Sequence, residues 1–186
     1  MDTKSMIIDN ATTLFQKKGY KGVGLNEILK VCKITKGSLY HHFPNGKEEL
    51  LIACLRLMNE TIKTKMAGIF HKYPSTQTAT VATIELMLDD FERDGMITGY
   101  TFSSIVYEMA SLSEPVRNAC ADSFSKIQMI VSNKLVEDGF SKESADSIAL
   151  MVTASIEGGI LLCLAQKSSD PLKIVSKGLP NLLKEF

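Results

Sequence analysis

The sequence lacks the cysteine spacing that zinc ribbons and redox-active cysteine pairs require. Its four cysteines, Cys32, Cys54, Cys120 and Cys163, are widely separated, and none forms a CxxC pair or has a histidine at zinc-finger spacing. All four fall in apolar segments with helical periodicity, so we expect reduced, buried thiols in a reducing cytosol. The N-terminal segment MDTKSMIIDN also lacks the basic start and the apolar block of a signal peptide, which favours a cytoplasmic location.

The sequence also has no net charge, because 21 lysine and arginine residues balance 21 aspartate and glutamate residues. The charges are nevertheless distributed unevenly. Residues 1–47 hold eight lysines against three acidic residues, so the remainder of the chain carries an equal acidic excess. A basic segment joined to an acidic one is typical of a protein that meets a polyanion at one end. Chance scatter of surface charge is the alternative.

No segment has the alternating apolar and polar residues of a half-buried strand, and the chain shows no internal repeat. Apolar residues at helical spacing instead predict a first helix that ends before Gly19, and then a second helix of two turns. Thr35 can cap a third helix, and Pro44 disfavours helix at the residue before it, so the third helix spans only about residues 36–42. These three helices form a head, residues 1–46.

A larger helical body follows the head, at residues 47–186. Its apolar pattern predicts a long helix that begins at Lys47, and then further helices separated by segments rich in glycine, serine and proline. The helices predicted for the body span about residues 47–71, 78–94, 101–112, 115–138, 142–166 and 171–184. The predicted fold class is therefore all-α, with a three-helix head and a larger C-terminal helical bundle.

Residues 148–165 form an almost continuous apolar run, IALMVTASIEGGILLCLA. Its length approaches that of a membrane span, but Glu157 lies at its centre and no aromatic or basic belt flanks it. We interpret the run as a helix that is buried on every side, either in the middle of a monomer or at an interface between two copies. We favour the interface, and its predicted residues are Ala154, Ser155, Gly158, Gly159 and Leu162.

The segment ITKGSLYHHFPNGKEEL, residues 34–50, concentrates polar residues that indicate a functional site. A metal site is disfavoured, because His41 and His42 are consecutive and point about 100° apart on a helix. No carboxylate follows either histidine at i+3 or i+4, and no serine or cysteine nucleophile with an orienting acid can be assembled locally. We therefore predict no metal, no other cofactor and no enzymatic activity.

A helix that binds nucleic acid accounts for the same residues. Two short helices joined by a tight turn and braced by a longer helix match the layout of a helix-turn-helix unit, whose last helix enters the major groove. Leu39 and Phe43 should face the core of the head. The predicted DNA contacts are Thr35, Lys36, Gly37, Ser38, Tyr40, His41, His42 and Lys47. A purely structural helix hairpin with incidental polar residues is the alternative.

The segment TKGSLYHHFPNGKEELL closely resembles the recognition-helix signature of the TetR family of transcriptional regulators, S-K-G-T-L-Y-x-x-F-x-S-K-E-x-L. The resemblance covers about residues 5–55. The extra residue in PNGKEEL and the later segment ASIEGGILLCLAQKSSDPL are similar to the branch typified by the LmrA/YxaF regulators. The chain departs from the family at Val23-Gly24, where a capping T-S or T-T is common, and at Lys33, where a turn glycine is common. The resemblance adds Lys33 to the predicted phosphate contacts.

The resemblance implies a nine-helix, Ω-shaped homodimer with two DNA-binding heads and a body that binds a small molecule. We expect a transcriptional regulator, by family default a repressor, that leaves a pseudo-palindromic operator when a small hydrophobic effector binds. The effector pocket is predicted between the helix that begins at Lys47 and the three helices after it. Its candidate lining residues are Met87, Phe91, Phe102, Tyr107, Glu108, Met109 and Met129. The alternative is a dimeric helical adaptor without sequence-specific DNA binding.

Overall fold

A computed structural model describes residues 2–95, 97, 100–109 and 113–183, and for residues 100–104 it describes the backbone only. Every regular element within these ranges is an α-helix. The helices are α1 (Thr3–Lys18), α2 (Leu25–Cys32), α3 (Lys36–His42), α4 (Lys47–Lys72), α5 (Thr76–Asp94), α6 (Tyr100–Met109), α7 (Glu114–Glu137), α8 (Lys142–Gln166) and α9 (Asp170–Leu182). The predicted all-α fold is therefore confirmed.

The helix boundaries follow the sequence prediction closely. α5 begins two residues earlier than expected, because Ser75 and Thr78 form a capping box at its start. The Ser75 hydroxyl accepts the backbone N–H of Thr78, and the Thr78 hydroxyl accepts the backbone N–H of Ser75. The last residues predicted for α6 (110–112) and for α9 (184) lie outside the described residues.

The contacts divide the chain into two compact units, and unit 1 comprises residues 1–61 and 101–123. It contains α1, α2, α3, the first part of α4, α6 and the first part of α7. Its core side chains are at most 1% exposed and include Ile7, Phe15, Ile28, Leu39, Phe43, Leu50 and Leu55. Residues of α1, α2, α3 and α4 therefore share one apolar core, and that core fixes the position of the short α3.

Unit 2 comprises residues 62–100 and 124–186. Its core is apolar and is built where α9 packs against α8 and α5. Gly159 of α8 lies at this contact, because a Cβ atom there would come within 2.9 Å of Leu172 Cδ2 and 3.3 Å of Val175 Cγ2. The two helices can approach this closely because residue 159 has no side chain.

The two units do not coincide with the predicted domains at residues 1–46 and 47–186. Unit 1 extends past the head into α4 and also takes up α6 and the start of α7. The predicted boundary separates functions, whereas the units separate groups of residues in contact. The functional boundary therefore stays a prediction.

α8 contains the apolar run, and by length and composition alone this helix could cross a bilayer. One face is buried in unit 2, at residues that include Ile148, Val152, Ile160 and Cys163. The opposite face carries Leu150, Met151, Leu161 and Leu162, and each of these residues has 39–56% of its surface exposed. The interpretation of α8 as a helix buried on every side within a monomer is therefore wrong, because within the described parts of the chain these four apolar side chains stay exposed.

All four cysteines are free and buried, as predicted. Burial raises the pKa of the Cys54 thiol to about 12 and that of the Cys120 thiol to about 11. The protonated thiol is therefore the stable form at neutral pH, and these side chains behave as small apolar core residues.

Candidate nucleic-acid interface

α3 is held in unit 1 by its apolar residues. Leu39 in its middle is 0% exposed, and Phe43 at its C-terminal end is 1% exposed. Thr35 caps the helix, since its side-chain oxygen accepts the backbone N–H of Ser38 at 3.2 Å. The expectation that Leu39 and Phe43 are core residues is confirmed, and the polar residues between them are left on the other faces of a fixed helix.

The polar residues predicted to contact DNA lie together on and beside α3. Thr35, Lys36, Gly37, Tyr40 and His41 are exposed, and Ser38 and His42 are partly exposed. The Lys36 ammonium lies 5.8 Å from the centre of the Tyr40 ring, and the rings of His41 and His42 meet edge to face at 5.0 Å. Cationic, hydroxyl and imidazole groups therefore share one solvent-facing surface, which can supply both phosphate and base contacts.

The turn after α3 orients Tyr40. Gly46 has φ +72°, and a Cβ atom there would meet Tyr40 Cε1 at 3.4 Å, so the ring rests against the backbone of this turn. A glycine satisfies both requirements, since it adopts positive φ without strain and leaves room for the ring. Gly46, within the segment PNGKEEL, is therefore part of the surface that supports Tyr40.

Lys33 occupies the turn between α2 and α3 with φ 53° and ψ 42°, which is the left-handed conformation that glycine usually supplies. Its backbone N–H closes the helix by donating to the carbonyls of Leu29 and Lys30. The side chain is exposed. The turn thus keeps the geometry of the glycine-containing version, and the extra side chain is available to solvent or to a phosphate.

Lys47, at the start of α4, is engaged within unit 1. Its ammonium donates to the backbone carbonyls of Tyr20 and Val23, each at 2.7 Å, and lies 3.9 Å from the centre of the Tyr20 ring. Burial lowers the pKa of Lys47, and the nearby Glu108 carboxylate acts in the opposite direction. Lys47 therefore ties the α1–α2 turn to α4, a structural role that the sequence pattern did not indicate.

Gly24 caps α2 without a side-chain hydrogen bond. The Val23-Gly24 departure from the family pattern therefore removes a capping interaction, as expected. Val23 compensates by burial, since it is 0% exposed.

Glu108 of α6 also contacts the α1–α2 turn. Its carboxylate accepts the backbone N–H of Lys21 at 2.7 Å and lies so close to Gly19 that a Cβ atom there would clash with Oε1. The sequence predicts Glu108 as a lining residue of the effector pocket, whereas the structure gives its carboxylate a partner in the head. Sequence reasoning missed this contact because Glu108 and Lys21 are 87 residues apart.

A second polar contact joins the start of α7 to the start of α4. The Ser113 hydroxyl donates to a Glu48 carboxylate oxygen at 2.7 Å and also accepts the backbone N–H of Val116 at 3.3 Å. Ser113 is 5% exposed. The Glu108 contact thus links α6 to the α1–α2 turn, and this hydrogen bond links the start of α7 to α4, the helix that follows α3.

The other predicted pocket residues do not share one environment. In unit 2, Met87 and Phe91 are partly buried against the apolar core, whereas Met129 is 58% exposed. In unit 1, Met109 is 4% exposed and Tyr107 is 77% exposed. The side chain of Phe102 lies outside the described residues. The exposures of Tyr107 and Met129 argue against their lining a pocket, and the pocket itself stays a prediction.

The predicted interface residues fall on two faces of α8. Ala154, Gly158 and Leu162 are exposed, Ser155 is partly exposed, and Gly159 is buried. Gly159 faces Leu172 of the same chain, so its small size serves packing within unit 2. The exposed members lie with Leu150, Met151 and Leu161 on one continuous apolar face, which sequence periodicity alone did not single out.

Comparison with known proteins agrees with this geometry. Residues 7–54 match the family of bacterial regulatory proteins named tetR, and residues 76–178 match the C-terminal domain of LmrA/YxaF-like transcriptional regulators. The chain is 37% identical to the HTH-type transcriptional regulator LmrA of Bacillus subtilis (strain 168) over 98% of its own length and 97% of the relative's. Its identity to YxaF of the same organism is 33%, over 99% and 96% of the two chains.

The crystal structure of reduced NemR from E. coli has the same fold, with a TM-score of 0.86 at 24% identity, over 97% of this chain and 96% of that one. The family matches cover both the helix-turn-helix head and most of the body, and the relatives match over nearly the whole chain. The chain therefore belongs to the TetR family of DNA-binding transcriptional regulators, in its LmrA/YxaF-like branch.

Proposed function

We propose that the chain acts as a homodimer that binds a pseudo-palindromic DNA operator through α3 and represses transcription until a small hydrophobic effector releases it. The observation that carries the DNA-binding part is the exposed polar surface of α3, anchored from beneath by Leu39 and Phe43. A dimer would present two such surfaces to half-sites separated by one or more helical turns, roughly 34 Å each. Phosphate contacts would supply most of the affinity and α3 the sequence preference.

The proposed contacts are Lys33, Thr35, Lys36, Gly37, Ser38, Tyr40, His41, His42 and Lys47. Lys33 and Lys36 are exposed and can neutralise phosphates at either end of the α2–α3 turn. Ser38, Tyr40 and His42 carry groups that can reach base edges. Lys47 keeps at most one ammonium proton for a phosphate, since two of its three are directed at carbonyls.

The apolar face of α8 supports the dimer. Leu150, Met151, Leu161 and Leu162 lie on it at 39–56% exposure, and Ile174 of α9 is 70% exposed. Contiguous exposed apolar surface of this kind usually marks an interface. Ala154 and Gly158, on the same face, would let a second helix approach closely. A twofold axis would bury this surface against its own copy.

The contacts of Glu108 and Ser113 suggest how the body could act on the head. Glu108 connects α6 to the α1–α2 turn, and Ser113 connects the start of α7 to α4, the helix that follows α3. An effector that binds one arrangement of these helices better than the other would change the position of α3, and only such a difference in affinity can shift the equilibrium. The proposal includes a cytoplasmic location, and a role in regulating transcription rather than in catalysis.

A gel-shift titration tests the DNA-binding part. The dimer should shift fragments from upstream of its own and neighbouring genes at concentrations at least a thousandfold below those needed for unrelated DNA. Tyr40→Ala and His42→Ala should reduce this preference, whereas Lys65→Ala, an exposed charge change in the unit 2 part of α4, should not. Equal affinity for all fragments would contradict operator recognition and would favour the adaptor alternative.

Genomic footprinting, followed by a reporter assay, tests repression. Transcription from footprinted promoters should rise when the gene is deleted. A thermal-shift screen of hydrophobic compounds, with each hit tested for release of the footprinted DNA, tests the effector. Compounds that stabilise the protein without changing DNA binding would contradict the ligand-responsive part alone.

A further inference from the structure

We propose that Lys4 of α1 contacts a DNA phosphate beside the C-terminal end of α3, so that α1 binds DNA directly as well as bracing the head. This inference rests on the proposed function, because it adds a residue to the same DNA-binding surface. The two fully exposed lysines among the predicted contacts, Lys33 and Lys36, lie at the N-terminal end of α3. Lys4 would supply a cation at the other end.

The position of Lys4 follows from its contact with Phe43, the residue that ends α3. The Lys4 ammonium lies 5.7 Å from the centre of the Phe43 ring, a distance at which an aromatic face attracts a cation. Phe43 is 1% exposed, and Ile7, one turn after Lys4 on α1, is 0% exposed. The packing of α1 against the core of unit 1 therefore brings a charge from the start of the chain to the end of α3.

The Lys4 ammonium is available to an anion. The residue is exposed, and it has no ion-pair partner among the residues that the structure describes. Asp2, the nearest acidic residue in the sequence, caps α1, since its carboxylate accepts the backbone N–H of Ser5 at 2.7 Å. A lysine side chain can rest its carbon atoms on apolar surface and keep its ammonium in water, where a phosphate can reach it.

Other lysines of the head are engaged or lie elsewhere. Lys18 pairs with Glu27, and Lys47 donates to two backbone carbonyls. Lys17 is exposed, but it follows Lys4 by more than three helical turns on α1, a separation of roughly 20 Å. The folded chain therefore places Lys4, and not Lys17, beside the end of α3.

The surroundings of Lys4 favour a phosphate over a base edge as its partner. His41, Pro44 and Asn45, on either side of Phe43 in the sequence, are all exposed, so a duplex could reach this end of α3. A lysine ammonium acts as a compact point charge, which suits a phosphate oxygen. Contacts of this kind fix the orientation of a protein on the duplex and carry no sequence information. Cations at both ends of α3 would therefore hold this helix in register along the groove.

The salt dependence of DNA affinity tests the contact. In the full chain, Lys4→Ala should lower the slope of log affinity against log salt by about one for each head that binds, because fewer counterions are released. Affinity at low salt should fall at least about threefold, and by the same factor for an operator duplex and an unrelated duplex. An unchanged slope would overturn the proposal.

Two further variants separate a contact from a general effect of charge. Lys17→Ala removes the same charge from the other end of α1 and should leave the slope unchanged. Lys4→Arg keeps the charge and should keep the slope of the unmodified protein. Thermal unfolding checks that all three variants are folded. Equal losses of slope in Lys4→Ala and Lys17→Ala would show that only the net charge of the head matters, and would contradict the contact.

A tethered cleavage reagent locates the contact independently. All four native cysteines are buried, so the thiol of Lys4→Cys can be labelled selectively with an iron chelate that cuts nearby DNA backbone. Cleavage of an operator duplex should concentrate at one position in each half-site, and the same label on Lys17→Cys should give at least about tenfold less cleavage. Absent or uniform cleavage by the Lys4→Cys conjugate would contradict the placement of Lys4.

Failure of this inference and failure of the proposed function give different results. Equal affinity of the unmodified protein for all duplexes would reject operator recognition, yet the effect of Lys4→Ala on the slope could still be measured on any duplex. If the unmodified protein recognises an operator and Lys4→Ala keeps the full slope, the Lys4 contact is rejected and the proposed function stands.

Discussion

The exposed surfaces of α3 and α8 differ in length and in chemical character. α3 has seven residues, and its exposed side is made of lysine, hydroxyl and imidazole groups. α8 has 25 residues, and its exposed side includes Leu150, Met151, Leu161 and Leu162. Water and counterions solvate a charged surface until a polyanion displaces them. An apolar surface is stabilised only when a partner covers it and removes it from water. The first suits reversible binding and the second suits a stable interface.

The two units also differ in how they hold these surfaces. In unit 1, polar contacts of Lys47 and Glu108 hold the α1–α2 turn, and a hydrogen bond from Ser113 holds the start of α4. In unit 2, α8 is positioned by apolar packing against α9, and this packing is close because Gly159 has no side chain. Hydrogen bonds contribute little net free energy each and depend on geometry, whereas buried area is insensitive to small displacements. A small shift would therefore disturb unit 1 more than unit 2.

Leu162→Lys should have the largest effect, because it places a charge on the proposed interface. Twofold symmetry introduces the lysine twice, at a combined cost of about 3–6 kcal/mol, so the dimer should dissociate at least about a hundredfold more readily. Analytical ultracentrifugation measures the dissociation constant, and gel shift should show a parallel loss of operator binding. Leu86→Lys is the control, since Leu86 of α5 is equally apolar and 39% exposed. An intact Leu162→Lys dimer would remove α8 from the interface.

Lys47→Ala should come next. It deletes hydrogen bonds to the carbonyls of Tyr20 and Val23 and the contact with the Tyr20 ring, which we expect to lower the free energy of unfolding by about 2 kcal/mol. If the ammonium also contacts a phosphate, the slope of log affinity against log salt should fall by about one, equally for all DNA sequences. Urea unfolding and salt-dependent gel shifts measure the two effects. An unchanged slope would leave Lys47 with its structural role alone.

Gly19→Ala should lower the free energy of unfolding by about 2 kcal/mol. Gly19 has φ 69° and ψ 174°, a conformation almost restricted to glycine, and the added methyl group would displace the Glu108 carboxylate from Lys21. Glu108→Ala removes the displaced group, so the double variant should be about 1 kcal/mol more stable than the sum of the single changes implies. Strict additivity in this double-mutant cycle would show that the methyl group at residue 19 leaves the contact between Glu108 and Lys21 intact.

Gly158 and Gly159 form an adjacent pair for a direct test of unit 2. In the Leu162→Lys background, where no partner helix would lie against residue 158, Gly158→Ala should raise the free energy of unfolding by up to about 1 kcal/mol, because alanine favours the helix and a Cβ there meets nothing within 4 Å of its own chain. Gly159→Ala should lower it by about 1 kcal/mol, since the methyl group overpacks against Leu172. Thermal unfolding at matched concentrations measures both. Two changes of the same sign would contradict the close packing of α8 and α9.

Lys33→Gly should have the smallest effect on the free energy of unfolding, and it should increase that free energy. It relieves a left-handed conformation of a non-glycine residue, which is worth about 1 kcal/mol of added stability. The same change removes a candidate phosphate contact, so operator affinity should fall while stability rises. Lys33→Asn is the control, because asparagine tolerates this conformation but carries no charge. If DNA affinity is the same in all three proteins, Lys33 does not contact DNA.

Local patterns predicted the helices well because their signals lie within a few residues. Thr35 as a cap, Pro44 as a stop and Gly19 as a terminator need no distant partner, and α3 and α8 have the predicted bounds. The roles of Glu108 and Lys47 could not be obtained in this way. Their partners lie 87 residues away for Glu108 and 27 and 24 residues away for Lys47, and nothing in either local pattern records them.

The sequence by itself determined the helical fold, the basic head and the family signature in α3, because periodicity, capping and composition act over short distances. Only the tertiary structure decided that Gly159 packs within its own chain and that Glu108 contacts the α1–α2 turn of the head. These outcomes depend on which helices pack together and at what separation. That choice is made by the burial of whole helix faces, so no short segment encodes it.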